Sequence, residues 1–453
     1  MQRNNYICVT ARKSAAFLSL AAGAALLTMC GPAHAADLQS EINSLQAQLN
    51  QLKADHAKSA GTSSGWKVKG FGFESADGAD SLQLTGRLHY DMGAYLGTNA
   101  DHLRSGVNAR RARIGVQGKF AYDWGYALIY DFGGSHDATP GAGIENAFIS
   151  YNGLSNNHIA PLDFVLGYQD VPWTLDEATS SNDFMFMEHA ASQAIATSFG
   201  GADQRAAFDL ISHSPRYYAG LFLTGPKAGD THTSTTTDGV GNYAVLGRLA
   251  YQVVSTPNAT LHLGVNAGDW YQVEKHQIDL KDTVNSTVDP TALIDTGTIS
   301  NVKNGTVIGP ELAGTYHNFY AQGEYYNYNV NRTGTSNLSF NGGYAQASYS
   351  IGGRRHYKPG AGAYSGVIPD HDFSLKTGGM GAFELAARYS YLDLNSNNVY
   401  GGKLNGYGVG INWYPNRHMR FMIDYTNANI TDQSASLTSH HDQSLAARAQ
   451  FEF

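Results

Sequence analysis

Ser444-Leu-Ala-Ala-Arg-Ala-Gln-Phe-Glu-Phe453 closes the chain, and its reading decides the fold. Successive side chains of an extended strand point to opposite sides. Leu445, Ala447, Ala449, Phe451 and Phe453 therefore share one face, and Ala446, Arg448, Gln450 and Glu452 share the other. An apolar face that ends on an aromatic ring, backed by a polar face, suits a strand with lipid on one side and water on the other.

The same period of two recurs upstream. Phe383, Leu385, Ala387, Tyr389 and Tyr391 alternate with Glu384, Ala386, Arg388 and Ser390, and Leu82, Leu84, Gly86, Leu88 and Tyr90 alternate with Gln83, Thr85, Arg87, His89 and Asp91. A soluble antiparallel sandwich alternates too, so the connectors decide. With strands of about ten residues, short connectors (Ala121 to Asp123, Asn152 to Ala160, His213 to Pro215, Ser255 to Ala259, Asn329 to Asn337, Pro415 to His418) take turns with long ones. The long set is Asp91 to Val107, Gly133 to Gly143, Gln169 to Ala202, Gly225 to Gly241, Tyr271 to Gly314, Asn395 to Lys403 and Ile430 to Asp442. A weaker strand at Ala363 to His371 with a turn at Ser374 to Met380 brings the count to 16. The expectation is an all-β, 16-stranded antiparallel transmembrane barrel, with short turns in the periplasm and long loops outside. It closes where the strand ending at Phe453 pairs with Ser81 to Asp91, which leaves no strand edge exposed to lipid.

Composition agrees. The chain has 28 Tyr, 19 Phe, 5 Trp and 51 Gly but only 15% charged residues, and aromatic girdles with every second residue facing a polar lumen produce that mixture. Beyond the leader no apolar run reaches the roughly 18 to 20 residues that a spanning helix needs. Arg3, Arg12 and Lys13 ahead of the apolar run Ala15 to Thr28, then Ala33-His34-Ala35, predict a signal peptide over 1–35. Both cysteines, Cys8 and Cys30, leave with it, so the mature chain forms no disulfide. With those three cations removed, 27 Lys and Arg face 38 Asp and Glu, a formal charge of −11. Nucleic acid is not an expected partner.

Between the leader and the barrel, Leu38, Ile42, Leu45, Leu49 and Leu52 follow spacings of 4, 3, 4 and 3. That heptad seam predicts a short coiled-coil helix over 36–58, too short to assemble alone and so built onto subunits already held together. A Gly/Ser linker over 59–65 leads into the barrel at 66–453. No Ser/His/Asp triad spacing and no metal-ligand spacing stands out, so neither an enzyme nor a cofactor is expected.

The barrel resembles the phosphate-selective porins O and P. The likeness is carried by Asn108 to Gly118 (NARRARIGVQG), Tyr130 to Gly134 (YDFGG), Gly342 to Tyr349 (GGYAQASY), Gly362 to Pro369 (GAYSGVIP), Glu384 to Leu394 (ELAARYSYLDL), Gly410 to Tyr414 (GINWY) and Leu445 to Phe453 (LAARAQFEF). The resemblance implies a homotrimer in the outer-membrane lipid, loops folded into each lumen, and a passive pore for small anions lined by an arginine ladder. Matching motifs carry the ladder over to Arg87, Arg110, Arg111 and Arg113. Relatives often have a basic residue and a glutamate where this chain has Gln169 and Asp170, and lysines are sparse.

Strand phase by itself places Arg87, Arg111, Arg113, Lys119, Arg205, Arg248, Arg388, Arg420 and Arg448 in the lumen, with the acids Asp91, Asp209, Glu324, Glu384, Asp424 and Glu452. Arg110 points outward in the simple phase unless a bulge or the loop margin turns it. The expected anion path comprises Arg87, Arg110, Arg111, Arg113, Lys119, Arg205 and Arg248. Arginine suits this work because its fork makes two charge-assisted bonds to an oxyanion and so replaces part of the hydration shell. Arg388 with Glu384 and Arg420 with Asp424, four apart on one face, are expected instead to pair internally. The expected function is passive anion diffusion with phosphate or a related oxyanion preferred. The alternatives are a weakly selective general pore and a mainly structural barrel whose coiled coil reaches the cell wall. Length and resemblance select Gln169 to Ala202 and Tyr271 to Gly314 as the loops that fold inward.

Overall fold

The computed structural model describes residues 43–44, 46–48, 51, 66–96, 103–133, 143–155, 161–228, 242–284, 286–433 and 440–453. The signal peptide lies outside these residues. So does most of the heptad segment, of which only 43–44, 46–48 and 51 are described, all helical.

Sixteen strands close into one antiparallel barrel. In chain order they are β1 Ser81–Leu96, β2 Gly106–Phe120, β3 Trp124–Asp131, β4 Ile144–Leu154, β5 Leu162–Val171, β6 Ala202–His213, β7 Tyr217–Lys227 and β8 Tyr243–Ser255. The second half comprises β9 Ala259–Gln272, β10 Val302–Tyr316, β11 Phe319–Arg332, β12 Leu338–Ile351, β13 Ala382–Ser396, β14 Val399–Asn416, β15 Met419–Gln433 and β16 His440–Glu452. Closure is the β16–β1 ladder, from Gln443 opposite Leu96 to Glu452 opposite Arg87. Leu128, Leu166, Leu249, Leu312 and Val409 are each more than half exposed on the outer face. Such a band is costly in water and favourable in hydrocarbon.

Gly86 shows how tightly the seam is built. Phe453 exchanges both backbone bonds with it, and the Phe453 ring covers the place where a Cβ would stand, 2.4 Å from that point. A hairpin of Trp66–Lys69 and Gly72–Ser75 continues this seam by pairing with Ser81–Gln83, where β16 has ended, and sets the Phe71 ring 5.1 Å from that of Phe453.

The strand count agrees with the alternation, but two of its members differ. The expected long loop Tyr271 to Gly314 contains β10, and the expected weak strand Ala363 to His371 is not part of the wall. Gly305, Gly309, Pro310 and Gly314 hide the alternation of β10, and its ladder to β11 skips Gly309 and Pro310, where proline has no N–H to give. Ala363–Tyr364 and Ile368–Pro369 instead bridge Tyr357–Lys358 and Gly353–Arg354 within a 352–381 insert. The exchange moves 333–337 from the short-turn end to the long-loop end and adds a tight turn at 317–318 beside the other short turns. The expected loop Asn395 to Lys403 shrinks to a turn at 397–398, with Asn397 at φ +51°.

Three connectors fill much of the lumen. The 172–201 loop, with its short helix α1 Ala191–Thr197, buries Trp173, Leu175, Phe186, Ile195 and Phe199. The 273–301 loop carries a hairpin, Ile278–Asp282 with Ile294–Ile299, whose Ile278, Leu280, Ile294 and Ile299 join the same apolar cluster as Ile195 and Phe199. The 352–381 insert enters from the opposite end.

Candidate functional site

Charged wall residues hold the 172–201 loop by its backbone. Glu324 accepts the N–H groups of Leu175 at 2.9 Å and Asp176 at 3.0 Å, and Asp424 accepts that of Met187 at 2.8 Å. Wall arginines take the carbonyls. Arg448 Nη1 donates to Met187 O at 2.7 Å, Arg388 Nη1 to Glu188 O at 2.8 Å, and Arg420 to Asn182 O at 3.1 Å and to Phe184 O. An irregular segment inside a barrel needs such partners, because buried peptide groups without them cost several kcal/mol each. The 352–381 insert meets the loop midway: Arg355 Nη1 reaches Asp183 O at 2.6 Å, and Lys358 pairs with the Asp183 carboxylate at 2.6 Å.

The adjoining wall, β1 and β2, carries a second cluster. Arg87 lies directly across the ladder from Arg113 and His89 across from Arg111. The next pair is Tyr90 with Ala109, so Arg110 is an extra residue in the ladder. That bulge turns Arg110 inward, where it is buried beside Arg111. Arg110 forks onto Glu188, Nε to Oε1 at 2.9 Å and Nη2 to Oε2 at 3.0 Å, and Arg448 Nη2 reaches the same carboxylate at 2.9 Å. Arg113 binds Asp131 at 2.8 Å and pairs with Glu145, while Arg87 donates to Ser180 and Ser181. Arg111 differs from all of these. It is 3% exposed, and its Nε and Nη1 have no hydrogen-bond partner among the described residues.

Arg111 faces a cavity of about 250 Å³ on the long-loop side, lined also by Arg110, Arg205, Lys227, Lys281, His189, Glu188 and Asp282. Two residues on, about 7 Å along the strand, Arg113 and Arg87 face a second cavity of about 320 Å³ with Arg417, His418, Glu145 and Glu452. Charge in the upper cavity is set largely by the loop. Burial raises the Glu188 carboxyl, but Arg110, Arg448 and Arg111 overcome that and hold it at about 2. Burial lowers His189, yet Asp176 at 2.8 Å and Glu177 at 3.8 Å lift it to about 9. At neutral pH Glu188 is therefore an anion bound by arginines, and His189 is a cation.

The sequence-expected residues separate into three places. Arg87, Arg110, Arg111 and Arg113 form the β1–β2 cluster, and Arg205 lines the upper cavity while bonding Gly201 O at 2.9 Å and Gly225 O at 3.1 Å. Lys119 stands near the short-turn end among Ser81, Gln83 and Gly125, away from the cluster. Arg248 points inward as phased but is sealed: Glu311 takes its Nε at 3.1 Å, and Ala361 O and Gly362 O take Nη1 and Nη2 at 2.9 and 2.7 Å. It anchors the 352–381 insert and does not face the cavities.

The expected pairs Arg388 with Glu384 and Arg420 with Asp424 also resolve differently. Glu384 is forked by Arg355 at 2.6 and 2.9 Å, while Arg388 and Arg420 hold loop carbonyls. Along a strand, i and i+4 are about 13 Å apart, too far to compete with a loop that arrives in between. Glu188, His189, Lys227, Lys281 and Arg355 join the picture without any local signal, since four sit in loops or at a strand end and Arg355 reads as turn sequence.

The family described as phosphate-selective porin O and P matches residues 82–453. Porin O of Pseudomonas aeruginosa is 24% identical over 432 residues, covering 85% of this chain and 92% of that protein. Among solved structures, an anion-selective porin from Comamonas acidovorans superposes with TM-score 0.51 at 13% identity, covering 83% of this chain and all of that one. The trimer form of in-vitro folded OmpT, an outer membrane protein of Vibrio cholerae, gives 0.52 at 11% identity, with 83% and 100% covered.

Proposed function

The chain belongs to the phosphate-selective porin O and P family, and from that premise we propose that its barrel passes small anions down their gradients, oxyanions such as phosphate preferred, along the β1–β2 wall of the lumen. The observation that carries this reading is Arg111: a guanidinium buried at the edge of a cavity, with two nitrogens unmatched among the described residues. A buried charge lacking partners is costly, and a transient oxyanion supplies what it lacks. Arg113 and Arg87 follow at strand spacing and in the next cavity, so an anion leaving Arg111 meets further guanidiniums. A row of similar sites keeps any one from holding too tightly, which conduction requires. Glu188, the acid bonded to Arg110 next to Arg111, is taken up by Arg110 and Arg448 and so offers little repulsion.

The chain works without turnover as a homotrimer, its leader removed and its heptad helix joining barrels already assembled. The anion selectivity of the Comamonas porin and the trimer form of OmpT support the anion path and the trimer. Single-channel recording in planar bilayers tests the main reading. In chloride, the pore should be anion-selective, and added phosphate at sub-molar levels should reduce the chloride current. Cation selectivity would sink the reading; anion selectivity without phosphate block would leave a general pore.

A further inference from the structure

The 273–301 hairpin brings a carboxylate into the same cavity. Asp282, at the end of the Ile278–Asp282 strand, accepts the Val284 N–H on its Oδ2 at 2.9 Å, and its carbonyl accepts that of Leu293 at 2.9 Å. The apolar contacts of Ile278 and Leu280 beside α1 fix the strand that ends there. Asp282 thus lines the 250 Å³ cavity opposite Arg110 and Arg111 of β2, Arg205 of β6 and Lys227 of β7, with Lys281 beside it and Glu177, Glu188 and His189 on the 172–201 loop. Arg388 of β13 also acts on it.

The three acids of this cavity are not equivalent. Glu188 is spanned by Arg110 and Arg448; Glu177 accepts from Gln193 and lies 3.8 Å from His189. Asp282 forms no ion pair among the described residues and has only its turn bond to Val284. Its charge is therefore the least compensated, in a space where an incoming anion must sit.

We propose that Asp282 is a tethered competitor of the permeating anion: ionised, it weakens oxyanion capture in the Arg111 cavity, and neutralised by a proton it releases that cavity. The proposal rests on the lumen being an anion path. Burial raises the Asp282 carboxyl to about 6 against the opposing bond from Val284; the Glu188 charge adds to the rise, and Arg388 and His189 oppose it. Asp282 is ionised at pH 8 and mostly neutral at pH 5. Across that window Glu188, held at about 2, and His189, lifted to about 9, keep their charges, so neither of them supplies the switch. Anion capture then strengthens as the medium acidifies. A dianion about 6 Å from a unit charge, at an effective dielectric of about 40 to 80, changes in affinity roughly ten- to hundred-fold.

Sulfate is the probe, because its charge stays constant from pH 5 to pH 8 whereas that of phosphate does not. The half-blocking sulfate concentration of the chloride current, measured on the full-length channel, should fall roughly ten- to hundred-fold from pH 8 to pH 5. Asp282→Asn keeps an acceptor for the Val284 N–H, and Asp282→Ser keeps a shorter one. Both should block at the low concentration at every pH, with no slope. Variants that retain the wild-type slope overturn this proposal and leave the anion path standing. Cation selectivity of the wild-type channel overturns the anion path and this inference with it.

Discussion

The two walls of the lumen put the same side chain to different uses. On β8 and β13–β16, Arg248, Arg388, Arg420 and Arg448, with Arg355 of the insert, are consumed by loop carbonyls and buried carboxylates. On β1 and β2, Arg87, Arg111 and Arg113 face the cavities, and Arg111 keeps two nitrogens unmatched among the described residues. An inward arginine is thus either a rivet or a rung. What separates the two is whether loop carbonyls close over the guanidinium, as at Arg448, or a cavity stays open beside it, as at Arg111.

The contrast can be broken most strongly at a rivet. Arg448→Ala leaves Asp91 without its buried partner, removes one of the two arginines on Glu188, and leaves Met187 O without its donor. It should destabilise the loop-filled barrel by about 3–5 kcal/mol, read as a lower midpoint of heat-induced unfolding in detergent and as noisier currents. At a rung the order reverses. Arg111→Ala should leave that midpoint nearly unchanged, yet weaken phosphate block roughly ten-fold or more, the worth of one charged hydrogen bond, about 1.5–3 kcal/mol. Equal effects of the two variants on both readouts would erase the distinction.

A third test lies at the seam below both walls. Gly86→Val drives a side chain into the space of the Phe453 ring. A loss of about 1–3 kcal/mol is expected from such overpacking, visible in the same unfolding assay with selectivity preserved. Smaller still is the pH response of the loop fastening. Glu188 is held below its unfolded value, so its contribution is present above about pH 4.5 and lost as pH falls through about 2; His189 is held above its own, so its contribution is full below about pH 6.5 and lost as pH rises through about 9. Current noise should stay flat from pH 4.5 to 6.5 and grow above pH 9. The smallest effect belongs to Lys119, which lies apart from the cluster. Lys119→Ala should change phosphate block by less than two-fold, because a half-buried charge near the mouth is reached by salt and lies beyond a screening length from the cluster.

Much of the barrel was legible because a membrane strand carries its own label: the period of two, the aromatic residues and the alternating connector lengths are all local. Legibility failed where glycine and proline broke the alternation, as in β10, and where a short insert imitated a strand, as at Ala363 to His371. At the site, phase placed Arg87, Arg111 and Arg113 inward. The bulge that turns Arg110 beside them required the β1–β2 register.

What the sequence by itself determined is the barrel and the sign of the charges pointing into it, since a strand's two faces follow from the covalent geometry of the chain. Only the tertiary structure decided which of those charges stay open. Arg248 and Arg111 are alike in phase and in burial, yet one is closed by Glu311, Ala361 and Gly362 and the other faces a cavity. The partners that make the difference arrive from 63, 113 and 114 residues away in the chain, and no local pattern encodes contacts that exist only once the lumen has been filled.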